Sequence, residues 1–366
     1  MPSMILKTQL PLPVLFLLLF MSVLSACTDK TPKTDTEFRI PVKKSNLYVR
    51  MVGNADAPLL INLHGGPGAF SGFDHEFNRL YLEDDYLVAY LDQRGSGKSD
   101  VEKDSSMLNM DQFVEDLDAV VDHLKDKYNN RPVNLIGASW GGTLGLLYMI
   151  KYQEKINTYT CVSGKADGVY PILALIEYER SLAEKLLKES DDPEAQDHYR
   201  KILSRLQEIE QSDFDQLFEE VNLLKHTFPE ALGFNAYWAN EKARKEAAAL
   251  GKTSGYYERA HYTKAEFDTV MQKFEYVNRV FRNTPEYNHL NIIGEIGVIT
   301  KPVLVVQGEY DYAIGLKQAH KIYAALKKVP EDKKELHIIP GAAHNLNLEA
   351  GEAYFDIVKS FLDKYN

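Results

Sequence analysis

Cysteine is scarce in this chain: two residues in 366, Cys27 and Cys161. A disulfide framework is therefore excluded as the source of stability, which must come from a buried core. Basic residues are also in deficit, with 42 Lys and Arg against 53 Asp and Glu and a formal net charge of −11. A protein that neutralises a phosphate backbone needs a clustered excess of positive charge, so nucleic acid is not an expected partner. Long apolar runs are confined to residues 10–24, which is short of the roughly 20 residues that a membrane span prefers. No internal repeat or low-complexity tract occurs. No His/Cys/Asp cluster has metal-ligand spacing, and neither a metal nor an organic cofactor is implied. What the chain does have is core material. With 45% apolar residues and 11% aromatic residues, it has the composition of a globular, enzyme-sized protein.

The first 27 residues read as an address. Lys7 precedes the apolar run, and Leu24-Ser25-Ala26-Cys27 follows it. This arrangement resembles a bacterial lipoprotein signal, which implies lipidation of Cys27 and an exported protein anchored to a membrane on the periplasmic or cell-surface side. Residues 28–37 are polar and Thr-rich, as expected of a tether. The folded domain is expected from Phe38 onward.

From there, short apolar runs alternate with helical periodicity, the pattern of a mostly parallel sheet with helices on both faces. Residues 39–42 and 48–52 read as an opening antiparallel pair. Buried strands are expected at 59–63, 87–91, 133–136, 158–162, 303–306 and 336–339. Residues 110–128 carry the apolar stripe Phe113, Leu117, Val120, Val121 and Leu124 of a sheet-facing helix. Between about 165 and 300 the strand rhythm stops and amphipathic helical stretches such as 173–189 and 198–224 take over. The expected organisation is a core of residues 38–164 and 301–366, with 165–300 inserted as an all-helical cap over the carboxyl ends of the strands.

Four motifs fall at strand ends. Gly137-Ala138-Ser139-Trp140-Gly141 sits between an expected strand and an expected helix, the context of a nucleophile elbow. A sharp turn there holds the serine in a strained conformation, and small residues on either side let the backbones approach. His64-Gly65-Gly66-Pro67-Gly68 follows the strand 59–63, where a side-chain-poor loop can donate a backbone N–H to a reacting carbonyl. The expected oxyanion donors are the N–H groups of Gly66 and Trp140, with His64 structural. A serine needs a base, and the base needs an orienting acid. Asp311 in Gln307-Gly308-Glu309-Tyr310-Asp311 and His344 in Pro340-Gly341-Ala342-Ala343-His344 complete the order Ser, Asp, His. Glu309 is the rival to Asp311. Gly95-Ser96-Gly97-Lys98-Ser99 imitates a Walker A end, but the first glycine of that motif would fall on Asp92, so no phosphate cradle forms.

His-Gly-Gly-Pro-Gly at 64–68, Asp-Gln-Arg-Gly-Ser-Gly at 92–97, Ser-Trp-Gly-Gly at 139–142 and Gly-Glu-Tyr-Asp at 308–311 together resemble the prolyl aminopeptidase (proline iminopeptidase) family of α/β-hydrolases. The resemblance implies an α/β-hydrolase fold, release of an amino-terminal proline or another small residue from peptides, and acidic cap residues that hold the free amine. It also gives the segment 92–99 the role of a loop buttressing the site. The chain departs from the family at Ala69-Phe70, at the Gly-Ala that opens the elbow, and in its cap, where Tyr237-Trp238-Ala239-Asn240-Glu241 lacks a plain Trp-Glu pairing. Glu241 is the candidate amine-binding acid among Glu177, Glu179, Glu219, Glu220 and Glu241. The cap aromatics Tyr256, Tyr257, Tyr262, Phe274, Tyr276 and Phe281 are candidate pocket walls. Expected substrates are peptides or small esters and amides. The alternatives are a carboxylesterase, lipase or lactonase with the same triad, and a non-catalytic surface-binding protein.

Overall fold

The structure is a computed structural model that describes residues 33–211, 232–233, 235–252 and 255–366. The signal segment, Cys27, Glu219 and Glu220 lie outside these residues, as does the end of the helix expected at 198–224. Eight strands form one sheet: β1 Lys33–Val42, β2 Ser45–Asn54, β3 Leu59–Leu63, β4 Leu87–Asp92, β5 Val133–Ala138, β6 Thr158–Val162, β7 Val303–Gly308 and β8 Lys334–Ile339. Their order is β1-β2-β4-β3-β5-β6-β7-β8. β1 and β2 pair antiparallel, as do β2 and β4, and every later neighbour is parallel.

The parallel strands other than the half-buried edge strand β8 are buried on both faces, and successive residues supply two separate layers. Leu59, Ile61 and Leu63 of β3 join one hydrophobic cluster, with Leu87, Ala89 and Leu91 of β4. Leu60, Val88 and Tyr90 point into the other. This two-residue alternation is the pleat expressed as packing. The first face is covered by α2 (Met110–Lys127), α3 (Trp140–Tyr152) and α10 (Gln318–Ala325). The second lies under α1 (Ser71–Asn78) and α12 (Gly351–Asp363). Cys161, on β6, is a free and buried thiol whose pKa burial pushes up to about 11.

One boundary shifts. Residues 33–37, expected to belong to the tether, are strand: Lys33 pairs with Asn54 and Glu37 with Arg50. The reason is that an edge strand needs only backbone partners and tolerates polar side chains on its open side.

Among the described residues, the insertion between β6 and β7 is helical: α4 Tyr170–Glu189, α5 Pro193–Glu210, α6 Glu241–Ala249, α7 Tyr256–Arg259, α8 Lys264–Arg282 and α9 Pro285–Asn288. The short α11 (Leu346–Glu349) follows β8. α4 and α5 build an apolar cluster that takes in Tyr312 after β7, and the later cap joins the main core itself. Val277 and Phe281 of α8, with Leu290, Ile292, Ile296 and Ile299, belong to the main core. Gly68 shows why this docking works. A Cβ added there would lie 2.9 Å from Val277 Cβ and 3.0 Å from the Phe274 carbonyl oxygen, so α8 approaches the 64–68 loop as closely as a glycine allows.

Candidate active site

β5 ends at Ala138, and Ser139 adopts φ 55° and ψ −118° before α3 begins at Trp140. A serine at positive φ carries about 1–3 kcal/mol of strain, and the surroundings hold it there. Its N–H donates to the Val162 carbonyl (2.9 Å) at the end of β6. A Cβ on Gly137 would come within 2.2 Å of the Gly141 carbonyl oxygen, and one on Gly141 within 2.0 Å of the Leu63 carbonyl oxygen. No side chain fits at either position. The elbow is thereby pressed against the start of the 64–68 loop.

That loop is fixed by one glutamine. The Gln93 backbone N–H donates to His64 Nε2 (3.1 Å), its side-chain amide donates to the His64 carbonyl (2.8 Å), and its Oε1 accepts from Trp140 Nε1 (2.8 Å). Because His64 Nε2 accepts, the ring proton sits on Nδ1 and donates to the Gly65 carbonyl at 2.9 Å. Burial of His64 pushes its pKa down, which keeps the ring neutral. His64 is thus a structural strut. Asp92 ties the start of α1, its own loop and the cap together: Oδ1 accepts from the Ser71 N–H and hydroxyl (both 2.8 Å), and Oδ2 from the Lys98 N–H (2.7 Å) and the Tyr262 hydroxyl (2.8 Å). The Arg94 guanidinium is fully buried between Asp116 (2.7 and 2.8 Å) and Glu102 (2.7 Å). Neither the Gly66 N–H, in a loop residue at φ 119°, nor that of Trp140, the first helical residue, donates to a backbone carbonyl in a turn or loop among the described residues.

Asp311 and His344 leave adjacent strands, β7 and β8. His344 Nδ1 lies 3.0 and 3.1 Å from the two oxygens of Asp311, whose side chain is fully buried. With Nδ1 donating, Nε2 carries the lone pair. A cap residue secures the ring from the other side: the Tyr237 carbonyl accepts from the His344 N–H (3.2 Å) and the Asn345 amide (3.0 Å), and its ring meets the imidazole edge-on at 5.5 Å. Glu309 is exposed and accepts from the Gly341 N–H at 3.0 Å, away from His344.

Ser139, His344, Gly66 and Trp140 line one cavity of about 670 Å³ between core and cap, within the usual range for small-molecule sites. Glu241 does not line it. An acid in the first turn of an exposed helix is drawn to the nearest guanidinium, and Glu241 holds Arg244 (2.6 and 2.8 Å) in α6. Of the candidate aromatic walls, Phe274 reaches the cavity. Tyr262 packs with Phe70, and Phe281 packs with Trp140 and Phe113. Three charged residues that sequence reasoning passed over do line the cavity: Asp74 of α1, Lys165 after β6, and Arg282 at the end of α8. They meet only in the fold, which brings α1, the loop after β6 and α8 to one cavity.

Residues 58–351 match the model of the alpha/beta hydrolase fold family. Curated relatives include a proline iminopeptidase of Saccharolobus solfataricus, 26% identical over 320 residues that make up 83% of this chain and 84% of that protein. A second, from Lactobacillus helveticus, is 33% identical over 121 residues, 32% of this chain and 40% of its own. Among solved structures, a proline iminopeptidase-related protein from Thermus thermophilus superposes with a TM-score of 0.59 at 20% identity, covering 91% of this chain and 98% of that one. A proline iminopeptidase from Mycobacterium smegmatis gives 0.56 at 19%, over 90% and 98% of the two chains. The chain therefore belongs to the alpha/beta hydrolase fold family, as a serine hydrolase similar to the proline iminopeptidases.

Proposed function

We propose that Ser139, His344 and Asp311 act as a catalytic triad that cleaves an acyl bond. His344 Nε2 takes the proton from the Ser139 hydroxyl as its oxygen attacks the substrate carbonyl. Asp311 holds the tautomer and stabilises the imidazolium, and the N–H groups of Gly66 and Trp140 receive the oxyanion. His344 then protonates the leaving group, and water releases the acyl chain. The observation that carries this reading is the buried Asp311 carboxylate on His344 Nδ1, in one cavity with a serine held at positive φ.

The relatives' names support an aminopeptidase that releases an amino-terminal proline or another small residue. Among the described lining residues the acid is Asp74, whose Oδ2 accepts from the Asn62 amide at 2.8 Å. It takes the role of amine acceptor that Glu241 does not fill. Burial raises its pKa to about 6, so it is mostly ionised at neutral pH. The same reading places the protein at a membrane through lipid on Cys27.

The test is turnover of residues 28–366 on aminoacyl arylamides with free amines, their N-blocked forms and short aryl esters. Free prolyl or alanyl arylamides are the expected substrates, and activity confined to esters would overturn the aminopeptidase assignment. Ser139→Ala is expected to lower kcat by about 10³-fold or more. Unchanged turnover by that variant would overturn the triad.

A further inference from the structure

We infer that Lys165 and Arg282 form a carboxylate-binding pair in the cavity over Ser139, and that the enzyme acts on short peptides with a free carboxyl terminus. The inference rests on the proposed function and deepens it. The chain as a whole is acidic, at −11, yet two cations and a single carboxylate line this cavity among the described residues. Neither cation pairs with a carboxylate there. The nearby Asp167 is already engaged: Oδ2 binds Lys321 (2.9 Å) and Oδ1 accepts from the N–H groups of Val169 (3.1 Å) and Tyr170 (3.0 Å). Lys165 Nζ instead rests 3.8 Å above the Tyr287 ring.

Two cations facing one cavity with no carboxylate paired to either among the described residues repel each other. Burial first, and then Arg282, push the pKa of Lys165 down to about 7, while Asp167 opposes the shift. A bound carboxylate relieves that repulsion and accepts charge-assisted hydrogen bonds from both groups. Strand order sets the reach. Asp74 is held by Asn62 of β3, Ser139 leaves β5, and Lys165 follows β6, in the sheet order β3-β5-β6. Neighbouring strands lie about 4.8 Å apart, so β3, whose Asn62 holds Asp74, and β6, which Lys165 follows, lie about 10 Å apart, the length of about three extended residues. A di- or tripeptide can therefore place its amine at Asp74 and its carboxylate at Lys165 and Arg282.

The experiment compares Pro-Ala-Ala with its carboxyl-terminal amide on the full chain and on Lys165→Met, Arg282→Gln and Lys165→Arg. A second arm compares a monosuccinate aryl ester with the matching butyrate ester, which reads a carboxylate on the acyl side. A fluorophosphonate label on Ser139 reports the nucleophile in every sample. The wild type is expected to favour the free acid over the amide by about tenfold to a hundredfold in kcat/KM, the worth of a charged hydrogen bond. That ratio is expected to fall toward one in Lys165→Met and Arg282→Gln and to persist in Lys165→Arg. Equal rates for acid and amide while Ser139 still labels would overturn the carboxyl-terminal assignment. If the monosuccinate and butyrate esters are also equal, the binding pair falls with it. Full turnover by Ser139→Ala would instead overturn the underlying hydrolase mechanism.

Discussion

Gln93 links both sides of the proposed oxyanion site through one side chain, because its amide meets the His64 carbonyl and the Trp140 indole at once. Gln93→Met keeps the volume and leaves both of those buried groups unpaired. Each costs about 1–3 kcal/mol, so urea unfolding is expected to show a loss of about 2–6 kcal/mol, and kcat is expected to fall more than KM rises because the loop loses its brace. Gly141 is less forgiving still. With the Leu63 oxygen 2.0 Å from the added carbon, Gly141→Ala forces β3 and the elbow apart, and soluble, labelable protein is not expected from it. A third outcome concerns pH. Lys165 loses its charge above about 7, so KM for Pro-Ala-Ala is expected to rise as pH increases from 6 to 8.5, and KM for the amide to rise less. Identical profiles for the two substrates would show that Lys165 does not meet the carboxylate.

The strands of the parallel sheet were legible at the level of elements because all but the edge strand β8 are buried on both faces, and they read as short apolar runs, such as Leu59–Leu63. The first half of β1 was not, since Thr34, Asp35, Thr36 and Glu37 carry no apolar signal, and the partners of Asp35 and Glu37, Arg50 and His261, are brought to them only by the fold. The motif residues were legible because chemistry demands particular types at strand ends. Asp74, Lys165 and Arg282 were illegible because each is an ordinary charged residue until the fold brings α1, the loop after β6 and α8 to one cavity. The acid Glu179 of α4 was noted only as one of many, yet it is 3% exposed and one carboxyl oxygen has no hydrogen-bond partner. Burial raises its pKa to about 8. A folded pKa above the unfolded value makes the folded state bind more protons, so stability declines as pH rises between about 4.5 and 8. Glu179→Gln removes that dependence. It is expected to stabilise the protein at pH 8 by on the order of 3 kcal/mol and to change little at pH 5, which thermal unfolding at the two pH values would measure.

At the scale of the whole molecule, two of the joins between cap and core differ in their physics. Near the active site the join is apolar and close-packed, through Val277 and Phe281 in the main core and the Trp140–Phe281 ring contact at 5.0 Å. At the sheet edge it is ionic. Arg50 of β2 holds Asp35 of β1 with two hydrogen bonds (2.9 and 2.8 Å) and donates to the Arg259 carbonyl of the cap at 2.7 Å. His261 then reaches both Asp35 (3.3 Å) and Glu37, and Arg259 holds Glu76 of α1 at 2.7 and 2.9 Å. Residues 33–37 therefore act as a clasp on the cap segment 255–263 as well as an added strand. The Arg50 hydrogen bonds hold the Asp35 carboxyl below its ordinary pKa despite partial burial. Its contribution is therefore present above the unfolded pKa and lost as pH falls through the folded one. The double variant Asp35→Asn, Glu37→Gln keeps the β1–β2 backbone ladder and removes the clasp charges. Partly exposed pairs of this kind are worth about 1 kcal/mol, so amide hydrogen exchange at neutral pH is expected to quicken roughly fivefold in 255–263 while β3 to β7 stay protected. Exchange that quickened equally across the sheet would mean that these charges support the global fold, and exchange unchanged in 255–263 would mean that the clasp charges do not hold this segment.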